Sequence, residues 1–428
     1  MEKLKIGIVG FGHYSFQYID IWLNHPLIEK VVGAEFLDDR RKQVEDEYKI
    51  KTYKSFDEML ENESDLNAVA IFTGRHMHGP QVIKALNMGK NVFSAVPMAV
   101  TEEEIVEILR LVEKTRLTYM MAETCYYFPC AVWCREQYKQ GKFGKFQYGE
   151  SQYYHDISDM FSAFYASNVN TDKSWKWFAG IPPMYYSTHS TSMLYSVINE
   201  YPVEVSCYGI RDTYNDDIYG EDKNEWGNPY SNQTSIVRMS GGGVARINEF
   251  RRIGTTKPSS YLSSLYGDLG GYEYSGQQHL FSRNVENPRE FSTEDVSEQV
   301  NTFKWLEDRN KTDIDKSQLI FDYKYHCGFS PCQNYNRLPK NFLTFTEKQK
   351  ENAMHGHNGS HILLVDDFVR SAITKKLPPV DPWFAAYCTL TGIYAHKSSM
   401  MGGVPVKIPD VGHKPADWDY IDFDEIKY

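Results

Sequence analysis

Residues 4–15 read Leu-Lys-Ile-Gly-Ile-Val-Gly-Phe-Gly-His-Tyr-Ser, and this stretch decides the fold. Leu4, Ile6, Ile8 and Val9 form the apolar run that a buried strand needs. The run ends in Gly10-Phe11-Gly12, and an amphipathic stretch from Ser15 to Leu23 follows. Strand, glycine turn and helix in that order begin a dinucleotide-binding βαβ unit. The first glycine permits the tight turn. The second lets the backbone approach a pyrophosphate, which then sits at the positive end of the next helix. Ser15 stands where a third glycine would fall and is small enough for close packing of helix on strand. His13 and Tyr14, inside the turn, are expected against the nucleotide.

Working outward, the apolar stretch Val31 to Phe36 predicts a second strand carrying Glu35 at its end. An acid at this spacing holds adenosine ribose hydroxyls, and Asp38 lies in the loop beyond. Arg40 or Arg41 offers a 2′-phosphate an alternative partner, so NAD is favoured over NADP without NADP being excluded. A strand at 68–72 runs into Thr73-Gly74-Arg75-His76-Met77-His78, and one at 91–94 into Ala95-Val96-Pro97. Helices are expected at 55–63 and 79–88, and from Thr101-Glu102-Glu103-Glu104, whose acids suit a helix N-terminus. A last strand from Thr118 to Ala122 ends in Glu123-Thr124-Cys125-Tyr126-Tyr127. Alternation of this kind over 4–125 predicts a doubly wound parallel sheet, an α/β Rossmann domain assigned to residues 1–125. Its carboxyl edge would present Thr73, Arg75, His78, Val96, Pro97 and Glu123 to the cofactor, with Tyr126 just beyond on the substrate side.

Beyond a linking helix at 129–140 the pattern changes. Residues 146–156 alternate, and further strands are expected at 203–209, 234–239, 243–250 and 261–266, with Gly241-Gly242-Gly243 as a hairpin turn. A second domain over 126–428, α+β with a large, mostly antiparallel open sheet, fits this pattern. Residues 285–345 are polar and irregular and predict a long surface excursion. Helices at 361–374 and 383–400 and a short strand or tail at 404–409 close the chain.

Composition narrows the function. A net charge of −11 with no basic patch argues against nucleic acid, and no apolar run has membrane-spanning length. The chain opens on a strand-like segment with no secretory leader before it, which predicts a cytoplasmic protein. Seven cysteines without a Cys-x-x-Cys pair suggest neither a disulfide framework nor a zinc ribbon. Aromatic residues make up 14% of the chain, including 31 Tyr, which suits sugar recognition and equally the filling of large sheets.

Three clusters carry candidate chemistry. The first runs from Trp175-Lys176-Trp177 to Tyr186-Ser187-Thr188-His189. Tyr186 and His189 are three apart at a helix start and share a face, a pair able to take a proton from a sugar hydroxyl. A satisfied buried histidine is the plainer reading. The second is Tyr153-Tyr154-His155-Asp156 at a strand end, suited to substrate contact or, through His155 and Asp156, to a metal, with Tyr154, His155 and Asp156 singled out for substrate along with Trp175 and Lys176. The third, His355-Gly356-His357-Asn358-Gly359-Ser360-His361, invites zinc, but lacks matching thiol or carboxylate spacing, so no metal is expected.

On the Gly10-x-Gly12 turn, Thr73 to His78, Gly89-Lys90-Asn91-Val92 leading to Pro97, and His357 to Pro409, the chain resembles the Gfo/Idh/MocA family. The resemblance implies a Rossmann domain with NAD, sugar or polyol substrates, and dimers or tetramers built through the C-terminal sheet. The family's usual Glu-Lys-Pro reads Ala95-Val96-Pro97 here, so its proton-accepting lysine is replaced by Val96. Val96-Pro97-x-Ala99, Met120-Met121-x-Glu123, Tyr154-x-Asp156 and Tyr186-x-Thr188-His189 resemble the NAD-dependent glycosidase branch, typified by α-N-acetylgalactosaminidases. That resemblance makes Tyr186 and His189 the acid/base residues. Three expectations follow: a sugar oxidoreductase, a redox-neutral glycosidase, or a nucleotide-binding paralogue without catalysis.

Overall fold

The computed structural model describes residues 3–158, 177–214, 216–254, 260–275, 278–284, 291–300 and 359–428, with short pieces between 338 and 357. The opening stretch forms β1 (Leu4–Val9), followed by α1 (Phe16–Asn24). Around it lie β2 (Ile28–Ala34), β3 (Lys51–Tyr53), β4 (Ala68–Ile71), β5 (Asn91–Ser94) and β6 (Tyr119–Met121). Their order is β3-β2-β1-β4-β5-β6 and every pairing is parallel. Strand β4 is buried along its whole length and β1 everywhere but Lys5, which is why they read as apolar runs. Strand order reverses between β1 and β4, so the crevice at their carboxyl ends is where an α/β sheet receives a ligand.

The connecting helices are α2 (Asp38–Tyr48), α3 (Phe56–Asn62), α4 (Arg75–Asn87) and α5 (Glu102–Thr115). In α5 the Thr101 hydroxyl accepts from the Glu104 N–H, and Ile105, Ile108, Leu109 and Val112 form the buried face. Helix α4 starts at Arg75, four residues ahead of the expected 79–88. Its N-cap is Gly74, and Pro80 lies inside the helix rather than at its start.

After α6 (Pro129–Lys139) the second sheet begins with β7 (Phe146–Tyr154). It continues through β8 (Pro202–Arg211), β9 (Tyr230–Met239), β10 (Val244–Phe250), β11 (Ser260–Gly267), β12 (Gly270–Tyr274), β13 (His279–Asn284), β14 (Phe291–Asp295) and β15 (Val406–Lys407). The order is β14-β13-β12-β11-β7-β10-β9-β8-β15. Only β7 and β10 pair in parallel; the remaining ladders are antiparallel. One face is covered by α7 (Thr188–Ile198) and α9 (Pro382–Met400). Helix α7 sits so close to β7 that a Cβ on Gly149 would lie 2.7 Å from the Leu194 side chain. Residues 291–295, expected in a surface excursion, are instead the edge strand β14 paired to β13, and most of 285–345 lies outside the described residues. Helix α8 (Ser360–Thr374) returns against the Rossmann half, buried on nearly every side. Among the described residues no helix is long and apolar enough to cross a membrane.

Candidate active site

The glycine turn has the shape a pyrophosphate needs. Gly10 has φ +87°, and a Cβ there would lie 3.1 Å from the Phe72 carbonyl. A Cβ on Gly12 would meet nothing within 4 Å, so open space stands before the loop. The Ser15 hydroxyl donates back to the Gly12 carbonyl at 2.8 Å, which ties the first turn of α1 to the loop. Glu35 is buried, and its two oxygens accept from Phe11 N–H at 2.8 Å and Leu37 N–H at 3.1 Å. It braces the loop from below, while Asp38 is exposed and paired to Arg41. These residues fit a dinucleotide.

The neighbouring strand ends are equally fixed. His78 is buried between the Pro97 carbonyl, 2.8 Å from Nδ1, and the Thr73 carbonyl, 3.1 Å from Nε2. Burial pushes its imidazole down to about 4. The Thr73 hydroxyl donates to Gln81 Oε1 at 2.6 Å. Val96 and Pro97 are joined by a cis peptide, and both are nearly buried. Tyr14 turns from the loop to bond Tyr18 through their hydroxyls at 2.7 Å, and its ring meets His357 at 5.6 Å and His361 at 5.7 Å. His13 is exposed.

At the seam between the two sheets stands His189, in the first turn of α7. Its Nδ1 lies 2.8 Å from Glu123 Oε1, and both side chains are buried. Burial alone would raise the Glu123 carboxyl; the His189 imidazole and the Cys125 N–H outweigh it and bring it below its ordinary range. Glu123 is therefore ionised and accepts a hydrogen bond from His189 Nδ1–H. Nε2 makes no hydrogen bond among the described residues. The His189 ring meets Tyr153 at 5.2 Å, Tyr186 at 6.3 Å and His357 at 6.3 Å.

The sequence pointed to Tyr154, but strand alternation turns it to the outer face of β7, where it stacks on Phe250 at 4.9 Å. Tyr153 is the one that faces His189. Its hydroxyl is hydrogen-bonded to His155 Nδ1 at 2.6 Å. Burial pushes the Tyr153 phenol up to about 12 and the His155 imidazole down to about 4, so both are neutral at pH 7. Asp156 caps a turn, accepting from Ser158, Ile253 and Gly254 N–H groups. Tyr126 packs against Tyr127 and Phe384, with the Arg135 guanidinium 4.0 Å over its ring. Trp175 and Lys176 lie outside the described residues.

Four residues of this region were not singled out from sequence as site groups: Tyr153, Glu249, Arg251 and Cys125. Glu249 and Arg251 are fully buried and paired at 2.6 Å, and the Ser190 hydroxyl donates to Glu249. The Arg251 guanidinium lies 4.2 Å over Tyr153 and 4.7 Å over Tyr186. Glu123, Cys125 and His189 each place a donor atom within 4.8 Å of the others. Burial raises the Cys125 thiol well above its ordinary range, and a protonated thiol is a poor metal ligand.

A Rossmann sheet, a braced glycine turn and an imidazole–carboxylate pair over the sheet's carboxyl edge define an oxidoreductase-type nucleotide site. Residues 4–123 match the Gfo/Idh/MocA oxidoreductase family with an NAD-binding Rossmann fold. That segment is an NAD-binding Rossmann domain of this family's kind. Among curated relatives, an α-N-acetylgalactosaminidase of Shewanella oneidensis is 29% identical over 167 residues, 37% of this chain and 36% of that protein. A glycosyl hydrolase family 109 protein of Bacteroides thetaiotaomicron is 27% identical over 212 residues, 46% of this chain and 44% of that protein. The chain thus spans between about a third and a half of the length of these relatives. Among solved structures, levoglucosan dehydrogenase in complex with NADH superposes with a TM-score of 0.67 at 15% identity, covering 95% of this chain and all of that one. The WlbA dehydrogenase of Bordetella pertussis, solved with NADH and UDP-GlcNAcA, gives 0.61 at 14% identity, covering 96% of this chain and 98% of that one. At these identities the likeness is one of fold.

Proposed function

We propose that this protein is an NAD-dependent enzyme that oxidises a ring carbinol of a sugar or glycoside, with His189 and Tyr186 in place of the missing lysine. The observation that carries the reading is the His189–Glu123 pair at the carboxyl edge of the nucleotide sheet. Gly10, Gly12 and the N-terminus of α1 would cradle the pyrophosphate, Glu35 the adenosine ribose, and Thr73, His78, Val96 and Pro97 would border the nicotinamide. When bound, the nicotinamide supplies the hydride acceptor.

The chain's own residues then handle protons. His189 takes the carbinol proton at Nε2, and the imidazolium is held by the ionised Glu123 at Nδ1. Tyr186 lies beside it and makes no hydrogen bond of its own among the described residues, so its hydroxyl is available to the sugar. The Tyr153–His155 pair sits on the neighbouring wall as a second proton donor and acceptor.

A second reading is supported by the names of the curated relatives. In it the oxidation is transient, a base draws the proton beside the new carbonyl, the aglycone leaves, and water and hydride return. The Tyr153–His155 pair supplies the second base that such a sequence requires. Free sugars and p-nitrophenyl glycosides, each assayed for absorbance at 340 nm and for nitrophenol, separate the two. Net NADH without aglycone release supports the dehydrogenase. Aglycone release without net NADH, with solvent deuterium entering the sugar, supports the glycosidase. Neither signal across hexoses, uronates, N-acetylhexosamines and their glycosides would reject both.

Gly10→Ala should weaken NAD binding about tenfold or more. The left-handed backbone costs an ordinary residue about 1–2 kcal/mol, and the new methyl presses on Phe72. Titration of NADH fluorescence checks it, and an unchanged Kd in a folded variant rejects the cradle.

The uncovered face of the second sheet supports a homo-oligomer. Tyr208, Ile210 and Ile236 are 63%, 49% and 47% exposed on adjacent strands of that face. Ile236→Asp should shift the protein toward monomer in light scattering, with the monomer still folded; an unaltered mass would exclude this face.

A further inference from the structure

Two guanidinium groups converge on Tyr186, and only one of them is balanced. Arg251 reaches the ring from the second sheet at 4.7 Å and has Glu249 as its carboxylate at 2.6 Å. Arg75 reaches the same ring from the first residue of α4, at 4.2 Å. It forms no ion pair and no hydrogen bond among the described residues, and its Nε is buried without a partner. Burial and then the like charge of Arg251 hold the Arg75 guanidinium down at about 10, still protonated at neutral pH.

A half-buried cation whose Nε is cut off from water and partners, beside a second cation and against an aromatic face, is costly to hold. Such a group is balanced when a ligand brings the anion, and the planar fork of arginine suits a carboxylate. Position selects the ligand. Tyr186 lies 6.3 Å from His189 and 6.4 Å from Tyr153, so the free charge borders the groups that face the substrate.

We propose that Arg75, backed by Arg251, is an anion subsite and that the sugar this protein turns over carries a carboxylate, as a hexuronic acid or its glycoside does. The proposal rests on the sugar-oxidising reading above and names its substrate class. A carboxylate seated on Arg75 would neutralise the uncompensated charge and fix the sugar ring against Tyr186, in reach of His189.

The test uses the full chain saturated with NAD. Glucose, galactose and their methyl glycosides are compared with glucuronate, galacturonate and theirs, by calorimetry and by absorbance at 340 nm. The uronates should bind about tenfold tighter or better. Arg75→Gln should bring that ratio close to one, and Arg75→Lys should keep part of it. The melting temperature of Arg75→Gln should not fall, because a half-buried charge with no carboxylate partner among the described residues has been removed.

Neutral sugars binding as tightly as uronates would overturn the proposal. So would a preference for hexose 6-phosphates over uronates. An Arg75→Gln variant with tenfold weaker NAD binding and an unchanged sugar ratio would assign the anion to the cofactor's phosphates instead. Arg75-dependent uronate binding with neither NADH formation nor aglycone release would leave the subsite standing and reject the oxidation.

Discussion

Replacing His189 by Asn is expected to lower kcat by roughly 10³-fold while NAD still binds and the fold survives. The imidazole is fixed at Nδ1 by Glu123, while its Nε2 makes no hydrogen bond among the described residues. Asn preserves the hydrogen bond to Glu123, so the buried carboxylate keeps a donor and the structure keeps its main reason to hold. The open base is what disappears. Glu123→Gln should be milder, roughly 10²-fold, because the amide can still orient the ring but cannot favour the imidazolium. Its pH–rate profile should move, since the charge that steadies protonated His189 is gone. A purely structural histidine predicts something else: thermal stability and NAD affinity would fall together with rate. If His189→Asn kept more than a tenth of the activity, Tyr153 and His155 would become the candidates for the first proton.

The nucleotide half was legible because its physics is local. A parallel strand buried on both faces must be apolar throughout, and Leu4–Val9, Ala68–Ile71 and Asn91–Ser94 announce themselves that way. Strand β3, the three residues Lys51–Tyr53, does not, because an edge strand needs little apolar surface. Positions at strand ends follow from topology, so Thr73, His78, Val96 and Glu123 could be placed near the carboxyl edge of the sheet from the sequence. The substrate side could not. In Gln152-Tyr153-Tyr154-His155 the residue types fit either phase of the alternation, and only the packing of α7 on β7 sets which tyrosine faces inward. Glu249 and Arg251 read as charges of a half-exposed strand. Their burial depends on Ser190 and on two tyrosine rings far away in sequence. His357 likewise gains meaning only when its segment folds back beside Tyr14 and His189.

Asp366→Ala should cost about 3–5 kcal/mol of stability, the largest loss expected outside the active site. Asp366 of α8 is fully buried and gathers three donors from three parts of the chain. Arg370 Nε donates to it at 2.8 Å and the Tyr428 hydroxyl at 2.7 Å. His25, at the end of α1, accepts from Leu27 N–H on Nδ1, so Nε2 carries its proton and faces Asp366 at 3.4 Å. The Arg370 guanidinium also donates to the Ile426 carbonyl at 2.7 Å and lies 4.7 Å over the Tyr428 ring. The carboxylate thus joins the nucleotide domain, the returning helix and the tail. Removing it takes away the carboxylate paired with the buried Arg370 guanidinium, which also donates to the Phe423 and Ile426 carbonyls. Arg370→Met should cost a similar amount by removing the guanidinium paired with the buried carboxylate. The pair Asp366→Ala with Arg370→Met should cost less than the sum of the two single changes, because the two charges that face one another are removed together. Urea unfolding of the four proteins measures this coupling directly. Strict additivity would mean that the two charges do not balance one another, and that the tail is held by its apolar contacts instead.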